Sequence, residues 1–193
     1  MPGNDYGALF REMNPGFFER EDIAGMTEDK VFSEMLLFLD KFDPYIYVRE
    51  FGDDIRFGFY DGGRSELIEA VEKVDPGWVK FYDENNEVYC GFADGRIASF
   101  CMLPDMGTHD LGGRKLRIGG PGCVGTVPDM RRRGIGLTMV KNVTSILKDR
   151  GFDVSYIHYT GVAPWYEKLG YKTVIGWNRN GIVYTSEFLA VSD

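Results

Sequence analysis

Three consecutive arginines stand directly before two glycines in the stretch DMRRRGIGLTM, residues 129–139. Like charges repel one another, so such a run is costly unless an anion neutralises it. Apolar residues recur on one face over residues 136–150, which predicts that a helix begins here. A helix N-terminus presents unpaired N–H groups, and glycine lets a ligand approach them closely. The stretch is therefore predicted to hold a pyrophosphate on the amides of residues 132–137. A solvated basic turn is the alternative that the stretch alone leaves open.

The charge of the chain is unevenly distributed. The 193 residues carry a formal net charge of −8, with −11 in residues 1–85 and +3 in residues 86–193. This asymmetry fits an anionic ligand bound by the second half. It argues against nucleic acid as a partner, because general nucleic-acid binding needs a broader basic surface.

The cysteines and the apolar runs indicate the cellular compartment of the protein. Cys90, Cys101 and Cys123 are odd in number, follow no metal-binding spacing and lie in apolar, strand-like surroundings. They are expected to be reduced, which favours a reducing compartment. The first residues do not resemble a signal peptide, and the strongest apolar run, residues 35–39, is too short to span a bilayer. The expectation is a cytoplasmic protein without a membrane partner.

The elements that must position this stretch suggest an extension followed by one domain. Residues 1–52 are predicted to form an N-terminal extension with a helix near 27–42 and a short strand over 45–50. The helix prediction rests on the i, i+3, i+4, i+7 spacing of Phe32, Met35, Leu36 and Leu39. Residues 53–193 alternate strand and helix patterns and include a hairpin about Asp94-Gly95, which predicts a mixed α/β sheet.

A second glycine motif points to a different fold. The sequence GPGCVG, residues 120–125, formally fits the G-x-G-x-x-G fingerprint of dinucleotide-binding folds. That fingerprint must open directly into a helix. Here Val127-Pro128 follows, and the next predicted helix starts only after Gly134. The nucleotide-fold interpretation is therefore rejected.

Four segments in order resemble one enzyme superfamily. RRRGIG (131–136) resembles the R/Q-x-x-G-x-G/A element that opens the central helix of the GNAT superfamily of N-acetyltransferases. VYCGFADGRIASFCML (88–103), CVGTVPDM (123–130) and WYEKLGY (165–171) resemble its hairpin, its strand and turn, and a later helix. The likeness covers about residues 54–193. It implies an α/β fold of the α+β type, with a mixed, splayed, mostly antiparallel central sheet flanked by helices and, here, a helical N-terminal extension.

The resemblance implies acetyl-CoA, or another acyl-CoA, as co-substrate and no metal. Residues 53–193 are then an acetyl-CoA-binding acetyltransferase domain. The expected contacts are the pantetheine arm on the strand before the arginines and the pyrophosphate on the turn. The cofactor-binding residues implied in this way are Val124, Gly125, Thr126, Val127, Arg131, Arg132, Arg133, Gly134, Ile135, Gly136 and Leu137.

The resemblance also implies direct attack of a primary amine of a small molecule on the thioester. By family position Tyr166 is the general acid that protonates the departing thiolate. Many family members use a strand glutamate as base, but the strands over 116–127 and 154–159 contain no acid. His158 is the substitute at a strand end, beside an equally open structural role, and the weaker candidates are Tyr159, Asp129 and His109.

The acceptor is the least specific part of the prediction. YIHYTGVAPWYEKLGY (156–171) resembles acetyltransferase domains attached to enzymes of amino-sugar metabolism, so an amino sugar is the first expectation. A tyrosine, Tyr159, stands where the family often has asparagine, which affects local ligand contacts and not the fold. Two alternatives stay open: a non-catalytic acyl-CoA-binding or regulatory module, and a protein or peptide N-acetyltransferase. The sequence does not decide whether the chain forms a homodimer.

Overall fold

A computed structural model of the chain describes residues 4–27, 30–82 and 86–186. Its α-helices are α1 Tyr6–Met13, α2 Glu21–Ala24, α3 Arg64–Glu72, α4 Ile135–Asp149 and α5 Ala163–Glu167. Its strands are β1 Phe32–Phe38, β2 Ile55–Phe59, β3 Val88–Ala93, β4 Arg96–Met102, β5 Asp105–Leu111, β6 Arg114–Gly119, β7 Gly122–Thr126, β8 Val154–Thr160, β9 Lys172–Asn178 and β10 Gly181–Thr185.

The strands form two sheets that separate at β6 and β7. One sheet has the order β10-β9-β1-β8-β6-β5 and the other the order β2-β3-β4-β7. The β6–β8 pair is parallel, and the remaining pairs of the described strands are antiparallel. The predicted mixed, splayed and mostly antiparallel sheet flanked by helices is confirmed. Among the helices of the described ranges, none is long and apolar enough to cross a membrane.

The splay follows from a glycine between β6 and β7. β6 pairs with β8 through Ile118 and Gly119, whereas β7 pairs with β4. Between them, a Cβ added to Gly120 would lie 1.9 Å from the carbonyl oxygen of Tyr156, so only glycine fits. Past this contact the chain leaves β8, and a gap opens between β7 and the end of β8.

The prediction of a helix near residues 27–42 is wrong. Within the part of that range that the structure describes, Phe32–Phe38 is strand β1, which lies between β8 and β9. Met35 and Leu37 pack in the cluster under α4, while Leu36 packs in the cluster under α1. A strand buried on both faces is apolar at successive positions, and this run happens to match helical spacing as well. The strand predicted over residues 45–50 is also wrong, because these residues form turns and irregular chain.

The two faces of the larger sheet are covered by different helices. α4 lies on one face, where its residues Met139 and Val140 pack with Ile157 of β8. α1 lies on the other, where Phe10 packs in a cluster with Tyr156 and other buried aromatic side chains. Each such side chain, fully buried, contributes roughly 1.5–3 kcal/mol. Alternate residues of β8 therefore belong to opposite faces.

Candidate active site

A cleft of about 600 Å³ lies at the N-terminus of α4. Most of the residues predicted from the arginine-glycine stretch line it together with Tyr166. These residues are Val124, Thr126, Arg131, Arg132, Gly134, Ile135, Gly136 and Leu137. Gly125, Val127 and Arg133 do not line it. The structure thus brings most of the predicted set into one cavity.

The turn before α4 leaves backbone donors exposed to the cleft. Arg132 and Gly134 both have left-handed backbone conformations, with φ of +65° and +82°. Gly134 is the N-cap of α4, and none of the described side chains forms a capping hydrogen bond there. Because the first N–H groups of a helix have no intrahelical partner, those at the start of α4 remain available to an anion.

The three arginines of the motif point in different directions. Arg131 donates from Nε to the carbonyl oxygen of Thr126 at 3.1 Å, which ties the turn to β7. Arg133 lies 3.3 Å from Asp54 Oδ2, outside the cleft lining. Arg132 lines the cleft. Arg49 and Lys168 line it as well, and the lining residues include no carboxylate among the described part of the chain, so the cleft is cationic.

Arg49 and Tyr47 come from a segment that carried no sequence signal for this site. A Cβ added to Gly134 would lie 2.5 Å from Arg49 Cδ and 2.9 Å from the Tyr47 hydroxyl oxygen. Both side chains therefore pack directly over the turn, and a side chain at residue 134 would displace them. No local pattern could have found this contact, because it joins residues about 85 positions apart in the sequence.

The alternation of β7 explains which of its residues line the cleft. Val124 and Thr126 face it, whereas a Cβ on Gly125 would lie 2.3 Å from the ring of Phe100 on the neighbouring strand. Gly136 allows α4 to approach β7, since a Cβ there would lie 2.5 Å from Thr126 Oγ1. The arrangement places the helix N-terminus directly beside the strand.

Tyr166 reaches the cleft from α5 and is 6% exposed. Its ring packs edge-on against Trp165 at 4.8 Å and lies 6.0 Å from the ring of Tyr171. Burial raises the pKa of the Tyr166 phenol well above its usual range. The hydroxyl is therefore protonated at neutral pH and can act as a donor.

His158 lies on the opposite face of β8, outside the lining of the cleft. Its Nδ1 is 2.9 Å from Glu34 Oε2, and its ring packs edge-on against Phe17 at 5.3 Å. The weaker base candidates Tyr159, Asp129 and His109 do not line the cleft either. Sequence reasoning missed Glu34, although an acid inside the apolar run FSEMLLF was an available signal.

Comparison with known proteins agrees with this geometry. A family model described as the acetyltransferase (GNAT) domain matches residues 68–174. A search of curated proteins gives no match.

Across the described ranges, no group of three or more histidine, cysteine or acidic side chains is arranged to hold a metal ion.

Three solved structures share the fold. The glucosamine N-acetyltransferase region of a fungal multi-domain GH3 β-N-acetylglucosaminidase has a TM-score of 0.63 and 24% identity, over 91% of this chain and 23% of that one. A GCN5-related N-acetyltransferase from Kribbella flavida has a TM-score of 0.53 and 17% identity, over 84% of this chain and 62% of that one. Another from Sphaerobacter thermophilus has a TM-score of 0.51 and 19% identity, over 74% of this chain and 48% of that one. The chain therefore spans less than two thirds of each of these proteins.

Proposed function

Because this chain belongs to the GNAT acetyltransferase family, we propose that it moves the acetyl group of acetyl-CoA directly to a primary amine of a small molecule. The observation that carries the proposal is that the uncapped N-terminus of α4 and the protonated phenol of Tyr166 open into the same cleft. One group holds an anion and the other donates a proton.

The turn before α4 would hold the pyrophosphate of the acyl-CoA. The first amides of α4 supply backbone donors, and Arg132 adds a charge-assisted hydrogen bond. The pantetheine arm would run along β7, where Val124 and Thr126 face the cleft. The cleft volume and its cationic lining fit a long anionic ligand. Once bound, the acyl-CoA supplies the activated thioester carbonyl that the amine attacks.

Tyr166 would give its proton to the thiolate as the carbon–sulfur bond breaks. A phenol that is protonated at working pH can do this without being activated first. The acceptor arrives largely as an ammonium at pH 7, so a base must take a proton before attack. His158, the one histidine near the gap between β7 and β8 in the part of the chain that the structure describes, is proposed for this role.

An amino sugar is the acceptor that we propose to test first. The fungal structure that shares the fold is described as a glucosamine N-acetyltransferase region, and the 156–171 segment resembles domains attached to amino-sugar enzymes. We also propose that the reaction takes place in the cytoplasm, which the free thiols of Cys90, Cys101 and Cys123 support.

The test is acetyl transfer to glucosamine, followed as release of free CoA thiol. Wild-type protein should turn over, and Tyr166→Phe should lower kcat by roughly 10²–10³-fold while the Kd for acetyl-CoA is unchanged. Tyr184→Phe, which removes a half-exposed hydroxyl on β10, should match the wild type. Equal kcat for wild type and Tyr166→Phe would contradict the role of Tyr166.

A non-catalytic acyl-CoA-binding module is the second candidate function. The observation that favours it is that neither a carboxylate nor an imidazole lines the cleft, within the residues that the structure describes. Tight binding of CoA without turnover on any member of a panel of primary amines would establish this alternative.

A further inference from the structure

We infer that Glu34 is the positioning residue for His158, so that a carboxylate–imidazole pair on the α1 face of the sheet takes the proton from the acceptor amine. This inference rests on the proposed function. It adds a residue from β1 to the reaction and assigns the acceptor to the face of the sheet opposite the cationic cleft.

Glu34 is buried in a way that a purely structural strand residue rarely is. Its carboxylate is 0% exposed. Oε1 accepts hydrogen bonds from Trp177 Nε1 at 2.6 Å and from the Tyr159 backbone N–H at 3.1 Å. Oε2 lies 2.9 Å from His158 Nδ1. An ionised carboxylate only accepts, so Nδ1 carries the proton and the lone pair is left on Nε2.

Two local distortions of the sheet bring these donors together. The pairing of β1 with β8 shifts register between Ser33 and Met35, where His158 and Tyr159 together stand opposite Glu34, so the extra residue of this bulge lies on β8. Tyr159 has a φ of +54°, a left-handed conformation that a non-glycine residue adopts only under strain. Its N–H points at Glu34 as a result. Strain of this kind persists only where the surrounding contacts enforce it, and here they converge on the carboxylate.

The backbone places His158 at the gap that the splay opens. β8 pairs with β6 only at Val154 and Ser155, so no described strand pairs with its later residues on that side. His158 belongs to this open end, and its side chain is 31% exposed while that of Glu34 is fully buried. The exposed part of the imidazole is therefore available to an acceptor amine on the α1 face.

Few other groups near His158 can titrate. Glu34 faces it from β1, and Tyr156 and Tyr159 lie beside it on β8, where burial raises the pKa of both phenols. Phe10, Phe17 and Trp177, from the elements packed against it, do not titrate. Beyond these aromatic side chains, Arg20 lies over the Phe17 ring and pairs with Asp22, and Lys30 lies over the Phe32 ring.

The protons balance through two residues. The ammonium loses one proton to His158 Nε2, which releases it to solvent, and the neutral amine nitrogen bonds to the carbonyl carbon of the thioester. As the carbon–sulfur bond breaks, the thiolate takes a proton from Tyr166. A second proton from the acceptor nitrogen replaces the one that Tyr166 has given. The products are the amide, the CoA thiol and one proton.

The experiment compares pH profiles of kcat/KM with glucosamine as acceptor for wild type, Glu34→Gln, Glu34→Asp and His158→Gln. Glutamine preserves the shape and the acceptor for Trp177, but its amide would donate to His158 and reverse the tautomer. We expect Glu34→Gln to lower kcat/KM at pH 7 by about 10²-fold or more, with an unchanged Kd for acetyl-CoA. The acid limb of its pH profile should move to lower pH, because the negative charge beside the imidazole is gone. Glu34→Asp should keep part of the wild-type kcat/KM and the position of its acid limb. The double variant Glu34→Gln/His158→Gln should have a kcat/KM no lower than that of His158→Gln alone.

Tyr171→Phe is the matched control. It removes a buried hydroxyl that bonds Ser155 Oγ at 2.6 Å on the other face of β8, so it perturbs the same strand without touching the pair. Its acid limb should stay at the wild-type position. If Glu34→Gln lowers the rate but leaves the acid limb in place, as this control does, Glu34 is merely structural and the inference is overturned.

Nitrogen-15 NMR of the imidazoles gives a readout that does not depend on turnover or on a change at Glu34 or His158. The chain has two histidines, so a His109→Gln sample assigns the signals. We expect His158 to carry its proton on Nδ1 when neutral, and a proton on Nε2 would overturn the inference. Wild-type protein that acetylates no amine would instead refute the proposed function, and this inference would fall with it.

Discussion

The α-carbon of Gly120 faces the carbonyl oxygen of Tyr156 so closely that a Cβ at residue 120 would lie 1.9 Å from it. This backbone contact is where β6 leaves β8 and the two sheets separate. Because backbone atoms cannot move aside as a flexible side chain can, the contact fixes the position of the gap.

Gly120→Ala should therefore lower the free energy of unfolding by roughly 3 kcal/mol or more, measured by urea denaturation. Gly58→Ala on β2 is the control, since a Cβ there would meet nothing within 4 Å. It should change stability by no more than about 0.5 kcal/mol. Equal stability of the two variants would show that the chain can separate the sheets in another way.

Arg132→Ala should weaken CoA binding by roughly 10–100-fold, measured by isothermal titration calorimetry. Arg132 lines the cleft, and a charge-assisted hydrogen bond to a phosphate contributes about 1.5–3 kcal/mol. Arg133→Ala is the matched control, because Arg133 turns towards Asp54. A larger loss of affinity for Arg133→Ala than for Arg132→Ala would contradict the assignment of roles within the motif.

His109 should make stability fall slightly as the pH rises from about 6 to 8. Burial opposes the charged imidazole, but the Met106 carbonyl and the Glu12 carboxylate outweigh it, so the pKa of His109 is raised. A raised folded-state pKa gives stability that is present below the unfolded value and is lost as the pH passes the folded value. Since Glu12 is 55% exposed, the effect should stay below about 1 kcal/mol. Thermal melts at both pH values should show the slope in wild type, and His109→Gln should abolish it.

The three thiols, of which Cys90 and Cys101 are buried and Cys123 is half-buried, should react slowly in the native protein. Burial raises the pKa of Cys90 and of Cys123 to about 12, and that of Cys101 rises as well. Only the thiolate reacts with an aromatic disulfide such as DTNB, so at pH 8 the three cysteines should be labelled slowly in buffer. They should be labelled rapidly in about 8 M urea, which unfolds the protein. Rapid labelling of Cys90 or Cys101 in buffer would show that the site of that buried thiol opens in the native state.

Local signals explain what could be predicted from the sequence. The helix start after the arginines, the Asp94-Gly95 turn and the short helix that carries Tyr166 depend on residues close together in the chain, and each lies where the pattern indicates. The left-handed φ values of Asp94 and Gly95 are those that such a turn requires.

What could not be predicted depends on partners distant in sequence. β1 has the same apolar residues as an amphipathic helix, and only its neighbours β8 and β9 make it a strand. Arg49 reaches the cleft because its segment folds over Gly134. Glu34 meets His158 only after β1 has entered the sheet. In all three cases the deciding contact is tertiary, and local propensity does not encode it.

The place of β1 has a consequence for how the chain folds. Leu36 pairs with Tyr156 on one side and with Lys172 on the other, so the middle of the larger sheet joins residues about 120 or more positions apart. Contacts between residues this far apart in the sequence form slowly, because closing a long loop costs conformational entropy. During synthesis β1 stays unpaired until residues 154–178, which form β8 and β9, have left the ribosome. Completion of the sheet is thus a late event, and the Glu34–His158 pair forms with it.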